Sequence, residues 1–208
     1  MRTAVAAGRP PPKPQDDVAA EACAPGGRRS GGNRQAKTAL IRMPTLELYL
    51  IRHGVAAERG DEYPDDSKRP LTAQGMTRLR KEARALDALG VTIDQIVTSP
   101  LVRTRQTADV IAESMKSRPP VATSDALAPA GTPGAVMQEL AKYAKKGNVA
   151  LVGHEPNLGE LAARLIGARV ALQFKKGGIC RIDFETVPPK GAGQLRWFLT
   201  PRILRRLA

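Results

Sequence analysis

The sequence predicts an α/β fold in which helices cover both faces of a central sheet. From residue 46 onward, short apolar runs typical of buried strands alternate with segments of helical periodicity. Hydrophobic residues make up 42% of the 208-residue chain, which is enough for a core, whereas aromatic residues make up only 3%. The core is therefore expected to consist mainly of Leu, Val, Ile and Ala.

Five strands follow from short apolar runs bounded by polar or turn-forming residues. They are predicted at 46–52, 94–98, 149–152, 179–185 and 194–200. The last two are joined by the segment 188–191, Pro-Pro-Lys-Gly, which favours a turn.

Four helices follow from apolar residues at helical spacing. They are predicted at 73–89, 99–115 and 132–146, and from Pro156 onward. Thr72 is placed to cap the first helix, and Ser99 to cap the second with Pro100 at its first helical position. The residues expected to face the core are Met76, Leu79, Ala83, Leu86, Leu89, Val136, Leu140, Tyr143, Leu158, Leu161 and Leu165.

Residues 1–44 are predicted to form a disordered basic tail, separate from a domain at 45–208. The tail is rich in Ala, Gly, Pro and Arg and has neither helical nor strand periodicity. Two alternatives stay open. One is an organelle-targeting peptide, against which the prolines and acidic residues of the tail argue. The other is that Met43 is the true start. The C-terminal residues 201–208 are expected to be a frayed, solvated helix, or else a basic turn that touches a membrane or partner.

The net charge of +13 raises the question of a nucleic-acid partner. Eight basic residues against three acidic ones lie in residues 1–43, and acidic and basic residues are interleaved elsewhere. Without aromatic residues placed to stack on bases, a specific nucleic-acid site is not predicted. No apolar stretch is long enough for a membrane span. Because Cys23 and Cys180 make no disulfide framework, we expect a reducing, cytoplasmic environment.

The only two histidines of the chain each follow an apolar strand. His53 stands in Arg52-His53-Gly54, and His154 follows the strand at 149–152. Strand ends lie at the sheet edge where α/β proteins bind ligands, and Gly54 permits a turn and a close approach of a ligand to the backbone. The tripeptide alone favours neither a ligand site nor the structural alternative, which is a surface arginine followed by a half-buried histidine.

Arg103 falls in the first turn of the helix predicted at 99–115, where the helix dipole disfavours a cation. A bound anion between the guanidinium and the helix N-terminus would explain it, although an exposed surface arginine is the ordinary alternative. Arg105 points to another side of the helix and is expected to be solvated or paired with an acid.

Arg52, His53, Arg103 and His154 together indicate an anion site with a nucleophile. Neighbouring cations would depress the pKa of His53 and keep it neutral, while guanidinium groups bind phosphoryl oxygens. A covalent phosphohistidine would divide hydrolysis into two easier steps. Two histidines beside an arginine make a poor metal site, so none is predicted.

Several segments, in this order, resemble the histidine phosphatase superfamily with its phosphoglycerate mutase-like fold. They are Leu50-Ile51-Arg52-His53-Gly54, Arg69-Pro70-Leu71-Thr72, Ser99-Pro100-Leu101-Val102-Arg103, Gln106-Thr107-Ala108 and Val152-Gly153-His154. The resemblance implies a three-layer α/β/α sandwich with a mostly parallel sheet. It implies that His53 is the phosphorylated nucleophile and that Arg52, Gly54, Arg103 and His154 bind phosphate. It implies no metal or organic cofactor, and we expect a monomer.

Within that superfamily the chain is similar to the short SixA-type phosphohistidine phosphatases. Many members that act on esters carry a long insertion with a proton-donating glutamate, whereas here Asp125 is the sole acid between Glu113 and Glu139. A phosphorylated imidazole leaves with less help than an alkoxide. We therefore expect a phosphohistidine substrate on a protein, such as a histidine phosphotransfer domain of a signalling relay. A small phosphate ester and an inactive phospho-binding module are the alternatives.

A proton donor is not evident from the sequence. Glu58 and Asp61, in the loop after the first strand, are our candidates for the proton donor. Asp65 and Asp66 lie in the same loop. Any of these carboxyl groups could supply a proton to the leaving group.

Overall fold

A computed structural model describes residues 46–208, in which six strands form one sheet. The strands are β1 (Leu46–Arg52), β2 (Gln95–Thr98), β3 (Val121–Thr123), β4 (Asn148–Gly153), β5 (Ile179–Phe184) and β6 (Gln194–Leu199). Their order in the sheet is β3-β2-β4-β1-β5-β6. The predicted tail at 1–44, Met43 as a possible start, and Cys23 lie outside the described residues.

The parallel part of the sheet brings the two histidine-bearing strand ends together. Strands β1, β2, β3 and β4 are mutually parallel, whereas β5 runs antiparallel to β1 and β6 antiparallel to β5. Because Arg52 pairs with Gly153, His53 and His154 leave the sheet side by side. The mostly parallel sheet of the prediction is confirmed.

Five helices cover both faces of this sheet. They are α1 (Ala73–Ala88), α2 (Val102–Ser114), α3 (Pro133–Ala141), α4 (Asn157–Ile166) and α5 (Pro201–Leu207). Residues of α1, α2 and α5 form one apolar core with Tyr49 and Ile51 of β1, while α3 and α4 form another with Leu48 and Leu50. Since successive side chains of a strand point to opposite faces, the sheet separates two cores and the three-layer arrangement is confirmed.

Helix starts show one prediction confirmed and one wrong. The Thr72 hydroxyl accepts a hydrogen bond from the N–H of Gly75 at 2.9 Å and so caps α1 as predicted. Ser99 does not cap α2, because Leu101 is still extended and the helix begins only at Val102, without a side-chain cap. The Ser99 hydroxyl is bound to His154 instead.

The C-terminal segment also differs from the prediction. Rather than a solvated end, α5 packs against α1, with Leu204 completely buried. Arg205 donates from Nη1 to Oε1 of the buried Glu82 at 2.5 Å. Strand β3 was not predicted, because three partly exposed residues carry no apolar run. Leu89, predicted to face the core, is 45% exposed because it lies beyond the last turn of α1.

Within residues 46–208, no helix has the length and apolar character needed to cross a membrane.

Candidate active site

The carboxyl ends of β1 and β4 bring the predicted site residues together. The rings of His53 and His154 are 5.3 Å apart between centroids. The positive charges of Arg52 and Arg103 both act on His53 and lower its pKa. The four residues singled out in the sequence therefore form one cluster.

The hydrogen bond of His53 determines which ring nitrogen is free to react. Its Nδ1 lies 2.8 Å from the carbonyl oxygen of Gly54. Because a carbonyl oxygen only accepts hydrogen bonds, Nδ1 carries the proton and Nε2 keeps its lone pair in the neutral ring. Nε2 has no hydrogen-bond partner among the described residues and is not one of the fully buried unpaired atoms. It is therefore open to an incoming ligand.

His53 is held neutral mainly by its burial. The side chain is 6% exposed, and this burial, with added repulsion from His154, Arg103 and Arg52, lowers its pKa to about 3. The bond to Gly54 offsets part of that shift. The sequence also predicts a lowered pKa for His53, but that prediction assigns the shift to the neighbouring cations alone. Loss of hydration is the larger cause.

Gly54 lies in close contact with a side chain of α1. A Cβ atom at this position would lie 2.6 Å from Cδ1 of Leu79 on α1. The Gly54 N–H donates to the hydroxyl of Thr107 at 3.1 Å, which ties the segment after β1 to α2. The glycine thus permits α1 to pack directly behind the histidine, while its predicted contact with phosphate stays a prediction.

Arg103 lies in the first turn of α2 as predicted, but it is buried and held by an acid. The side chain is 4% exposed and donates from Nη1 to the backbone oxygen of Asp66 at 2.7 Å and from Nη2 to Oδ2 at 2.9 Å. Arg59 and Arg69 each donate to Oδ1 of the same carboxylate at 2.8 Å. Although burial opposes it, this cluster lowers the pKa of Asp66 to about 2.

Asp66 therefore orients Arg103 and cannot serve as a proton donor near neutral pH, because its carboxyl group is ionised. The sequence offered no signal for this pairing beyond an acid in the loop after β1. Arg105 agrees with its prediction, since it is partly exposed and paired with Asp109 at 3.0 Å.

Arg52 is anchored on the other side of the cluster. It donates from Nη1 to the backbone oxygen of Phe174 at 2.5 Å. The N–H of Phe174 in turn donates to Oε1 of Glu155 at 3.1 Å. Burial lowers the pKa of Arg52, and the charge of Glu155 partly compensates. Glu155 was not predicted to take part, although its position next to His154 was a signal.

His154 differs from His53 in the atom that is engaged. Its Nε2 lies 2.9 Å from the hydroxyl of Ser99, which follows β2. The side chain is 4% exposed, and burial lowers its pKa to about 4. Ser99 is thus a site residue that the sequence had placed as a helix cap.

Three buried side-chain nitrogens in residues 46–208 have no hydrogen-bond partner, and all three belong to this cluster. They are Nε of Arg52, Nε of Arg103 and Nδ1 of His154. Unpaired buried polar atoms are rare in folded proteins, and each is costly in free energy. Nitrogens of two guanidinium groups and an imidazole, gathered beside a free Nε2, suit the oxygens of a phosphoryl group.

The two acids named as proton donors lie apart from this network. Glu58 and Asp61 are exposed and have no hydrogen bond to any of the four site residues in the described part of the chain. Their role stays a prediction. Asp125 is also exposed, in a 3-10 turn at Asp125–Leu127.

Comparison with known proteins agrees with this geometry. A family model for the histidine phosphatase superfamily (branch 1) matches residues 48–129, which include most of β1 and all of α1, β2 and α2. The chain belongs to the histidine phosphatase superfamily. An uncharacterised protein of Picosynechococcus sp. is 41% identical over 138 residues, which cover 64% of this chain and 82% of that protein.

The chain is also similar to a named phosphatase in sequence and to a solved phosphatase structure. The phosphohistidine phosphatase SixA of Escherichia coli is 27% identical over 158 residues, covering 75% of this chain and 94% of the relative. The structure of a protein histidine phosphatase SixA complexed with tungstate superimposes with a TM-score of 0.68 at 25% identity, covering 76% and 99% of the two chains. The phosphoglycerate mutase-like fold is confirmed, and the chain is a phosphatase.

Proposed function

We propose that this phosphatase removes the phosphoryl group from phosphohistidine on another protein, through a phosphorylated His53. The observation that carries the proposal is the contact of 2.8 Å between Nδ1 of His53 and the carbonyl oxygen of Gly54. With the proton held on Nδ1 by the Gly54 carbonyl, the lone pair of Nε2 is available at neutral pH.

In the first step, Nε2 of His53 attacks phosphorus while the bond between phosphorus and the substrate imidazole breaks. The unpaired Nε–H groups of Arg52 and Arg103 donate to the phosphoryl oxygens. The Ser99 hydroxyl donates to Nε2 of His154, so that Nδ1 of His154 carries a proton and donates as a third group. These three nitrogens are fully buried before the substrate arrives, so the phosphoryl group must displace neighbouring atoms to reach them.

In the second step, water attacks the phosphorylated His53, inorganic phosphate leaves, and neutral His53 returns. The low pKa of His53, which burial causes, makes its nitrogen a good leaving group from phosphorus in this step. Glu58 and Asp61 are the proposed sources of the proton for the leaving group in the first step.

The contacts around the histidines favour a phosphohistidine substrate. In residues 46–208, neither His53 nor His154 has a hydrogen bond to a carboxyl group. An alkoxide needs a proton donor to leave, whereas an imidazole departs more readily. The similarity to SixA supports the same substrate class.

A small phosphate ester is the second candidate, and Glu155 is the observation that favours it. Burial raises the pKa of this carboxyl group. Glu155 and Arg52 both line a surface depression of about 470 Å³, which could admit a small ligand. A carboxyl group with a raised pKa is the kind of acid that ester hydrolysis requires.

The test is phosphate release from a histidine-phosphorylated phosphotransfer domain, with wild type compared with His53→Ala. Release by the wild type alone is the expected result. If neither protein releases phosphate while the wild type hydrolyses an aryl phosphate, the substrate is a phosphate ester. If the wild type hydrolyses nothing, the chain only binds phosphorylated ligands and the proposal is wrong.

A further inference from the structure

The two flanks of the active site differ in how their positive charges are paired. On the β2 side, Arg59, Arg69 and Arg103 share the carboxylate of Asp66. The other flank is formed by residues 174–178, which lead into β5. In the sheet, β2 and β5 lie on opposite sides of the central pair β4 and β1.

Residues 174–178 are fastened directly to the backbone of the catalytic segment. The N–H of Gly177 donates to the carbonyl oxygens of Arg52 at 3.1 Å and His53 at 3.0 Å. Gly177 has a φ of +85°, and a Cβ atom there would lie 2.6 Å from Oε2 of Glu82. This turn holds the exposed Lys175 and Lys176 beside the site.

The two lysines face separate cavities on either side of the catalytic segment. Lys175 lines the depression of about 470 Å³ together with Arg52 and the apolar side chain of Leu172. Lys176 lines a cavity of about 120 Å³ together with Gly54 and Arg78. The two lysines therefore present positive charges to two separate cavities.

The cations of this flank are not neutralised at close range. We define the basic rim as Arg78, Lys175 and Lys176; in residues 46–208 none of the three side chains has a hydrogen bond, or an ion pair within 4 Å. The positive charge of Arg78 acts on the carboxylate of Glu82, which Arg205 binds directly. Positive charges gathered without partners attract an acidic surface and speed its association.

We propose that the basic rim docks acidic side chains of the phosphorylated protein, next to the phosphohistidine that enters the active site. This inference rests on the proposed function. The partner is a protein because the rim spans two cavities. It is acidic because five basic side chains line these cavities against two carboxyl groups, those of Glu82 and Glu155. The apolar part of the depression beside Arg52 receives the chain that flanks the phosphorylated residue.

The experiment compares two double variants with the same charge change. Lys175→Ala with Lys176→Ala removes two cations of the rim. Lys145→Ala with Lys146→Ala is the control, because these lysines are equally exposed but precede β4, at the opposite edge of the sheet from the site. For each protein, kcat/KM is measured on a histidine-phosphorylated phosphotransfer domain and on an aryl phosphate, at low and high salt.

The rim variant is expected to lose about tenfold in kcat/KM on the phosphoprotein, with less salt dependence than the wild type. Its turnover of aryl phosphate should stay within about twofold of the wild type, and the control should match the wild type on both substrates. An equal loss in both double variants, or an equal loss on both substrates, overturns the docking surface alone. If the wild type hydrolyses only the aryl phosphate, the proposed function fails and the docking surface fails with it.

Discussion

The two histidines occupy equivalent places in the sheet and differ in what holds each ring. His53 follows β1 and His154 follows the adjacent parallel strand β4, and both are almost completely buried. His53 is bound through Nδ1 to a carbonyl oxygen, which only accepts, whereas His154 is bound through Nε2 to the hydroxyl of Ser99, which also donates. The end of the strand determines where each histidine ring lies. The hydrogen-bond partner of the ring determines which nitrogen carries the proton, and so whether the histidine acts as nucleophile or as donor.

The largest effect is expected for His53→Ala. Because the variant lacks the nucleophile, kcat should fall by at least about 10⁴-fold in an assay with aryl phosphate. Far-ultraviolet circular dichroism should show that the variant is folded. Substantial remaining turnover would mean that the difference between the two histidines is not the one described.

His154→Ala should have a smaller effect of a different kind. Loss of one donor to the phosphoryl group is expected to lower kcat by about 10²- to 10³-fold. The variant should still accumulate phosphoenzyme, measured by rapid quench under alkaline conditions. If phosphoenzyme disappears as completely as in His53→Ala, His154 shares the nucleophilic role.

Ser99→Ala sharpens the comparison, because it removes the partner of His154 and leaves both rings. Without the hydroxyl, Nδ1 of His154 is no longer favoured as the protonated nitrogen, and kcat should fall about tenfold. The free energy of unfolding should fall by about 1–3 kcal/mol, because the buried Nε2 of His154 loses its partner. Ser124→Ala is the matched control, since Ser124 is also buried but is bound to Glu139. Equal activity of both variants would show that Ser99 has no part in orienting the ring.

The smallest effect concerns stability and pH. The folded pKa values of His53 and His154, about 3 and about 4, lie below the value near 6.5 of an unfolded histidine. The unfolded chain therefore binds more protons below pH 7, so this stability is complete above about pH 6.5 and is lost as the pH falls towards the folded values. Each histidine should lower the free energy of unfolding by about 2 kcal/mol between pH 7 and pH 5.

Denaturant unfolding at these two pH values checks this expectation. In His53→Ala, the decrease in the free energy of unfolding between pH 7 and pH 5 should be about 2 kcal/mol smaller than in the wild type. Burial raises the pKa of Glu82 to about 7, so Glu82 also titrates in this pH range. Because it is present in both proteins, its contribution cancels when the two pH dependences are compared. Parallel pH profiles would contradict the low pKa of His53.

Much of the fold and the cluster of four site residues could be predicted, because both follow from local patterns. The apolar run at 46–52 is a strand with those bounds, and the two polar residues that the site requires are its last residue, Arg52, and the next one, His53. The partners of these residues could not be predicted, because they depend on contacts between distant parts of the chain. Asp66 is 37 residues from Arg103, and Ser99 is 55 residues from His154.

The same reasoning explains two of the corrections. Ser99 before Pro100 has the local pattern of a helix cap. In the structure, however, the Ser99 hydroxyl binds His154 and Leu101 is extended, so the helix begins later. The C-terminal residues look solvated in the sequence because Arg205 finds Glu82 only when α5 folds onto α1. Cytoplasmic location and a monomeric state stay predictions.

The central claim is that Nε2 of His53 becomes phosphorylated. The most direct measurement is ³¹P nuclear magnetic resonance of the phosphoenzyme, trapped under alkaline conditions after reaction with an aryl phosphate, combined with mapping of the modified peptide. The account predicts one phosphohistidine, at His53, phosphorylated on Nε2. Phosphate on Nδ1 of His53, or on His154, would contradict it.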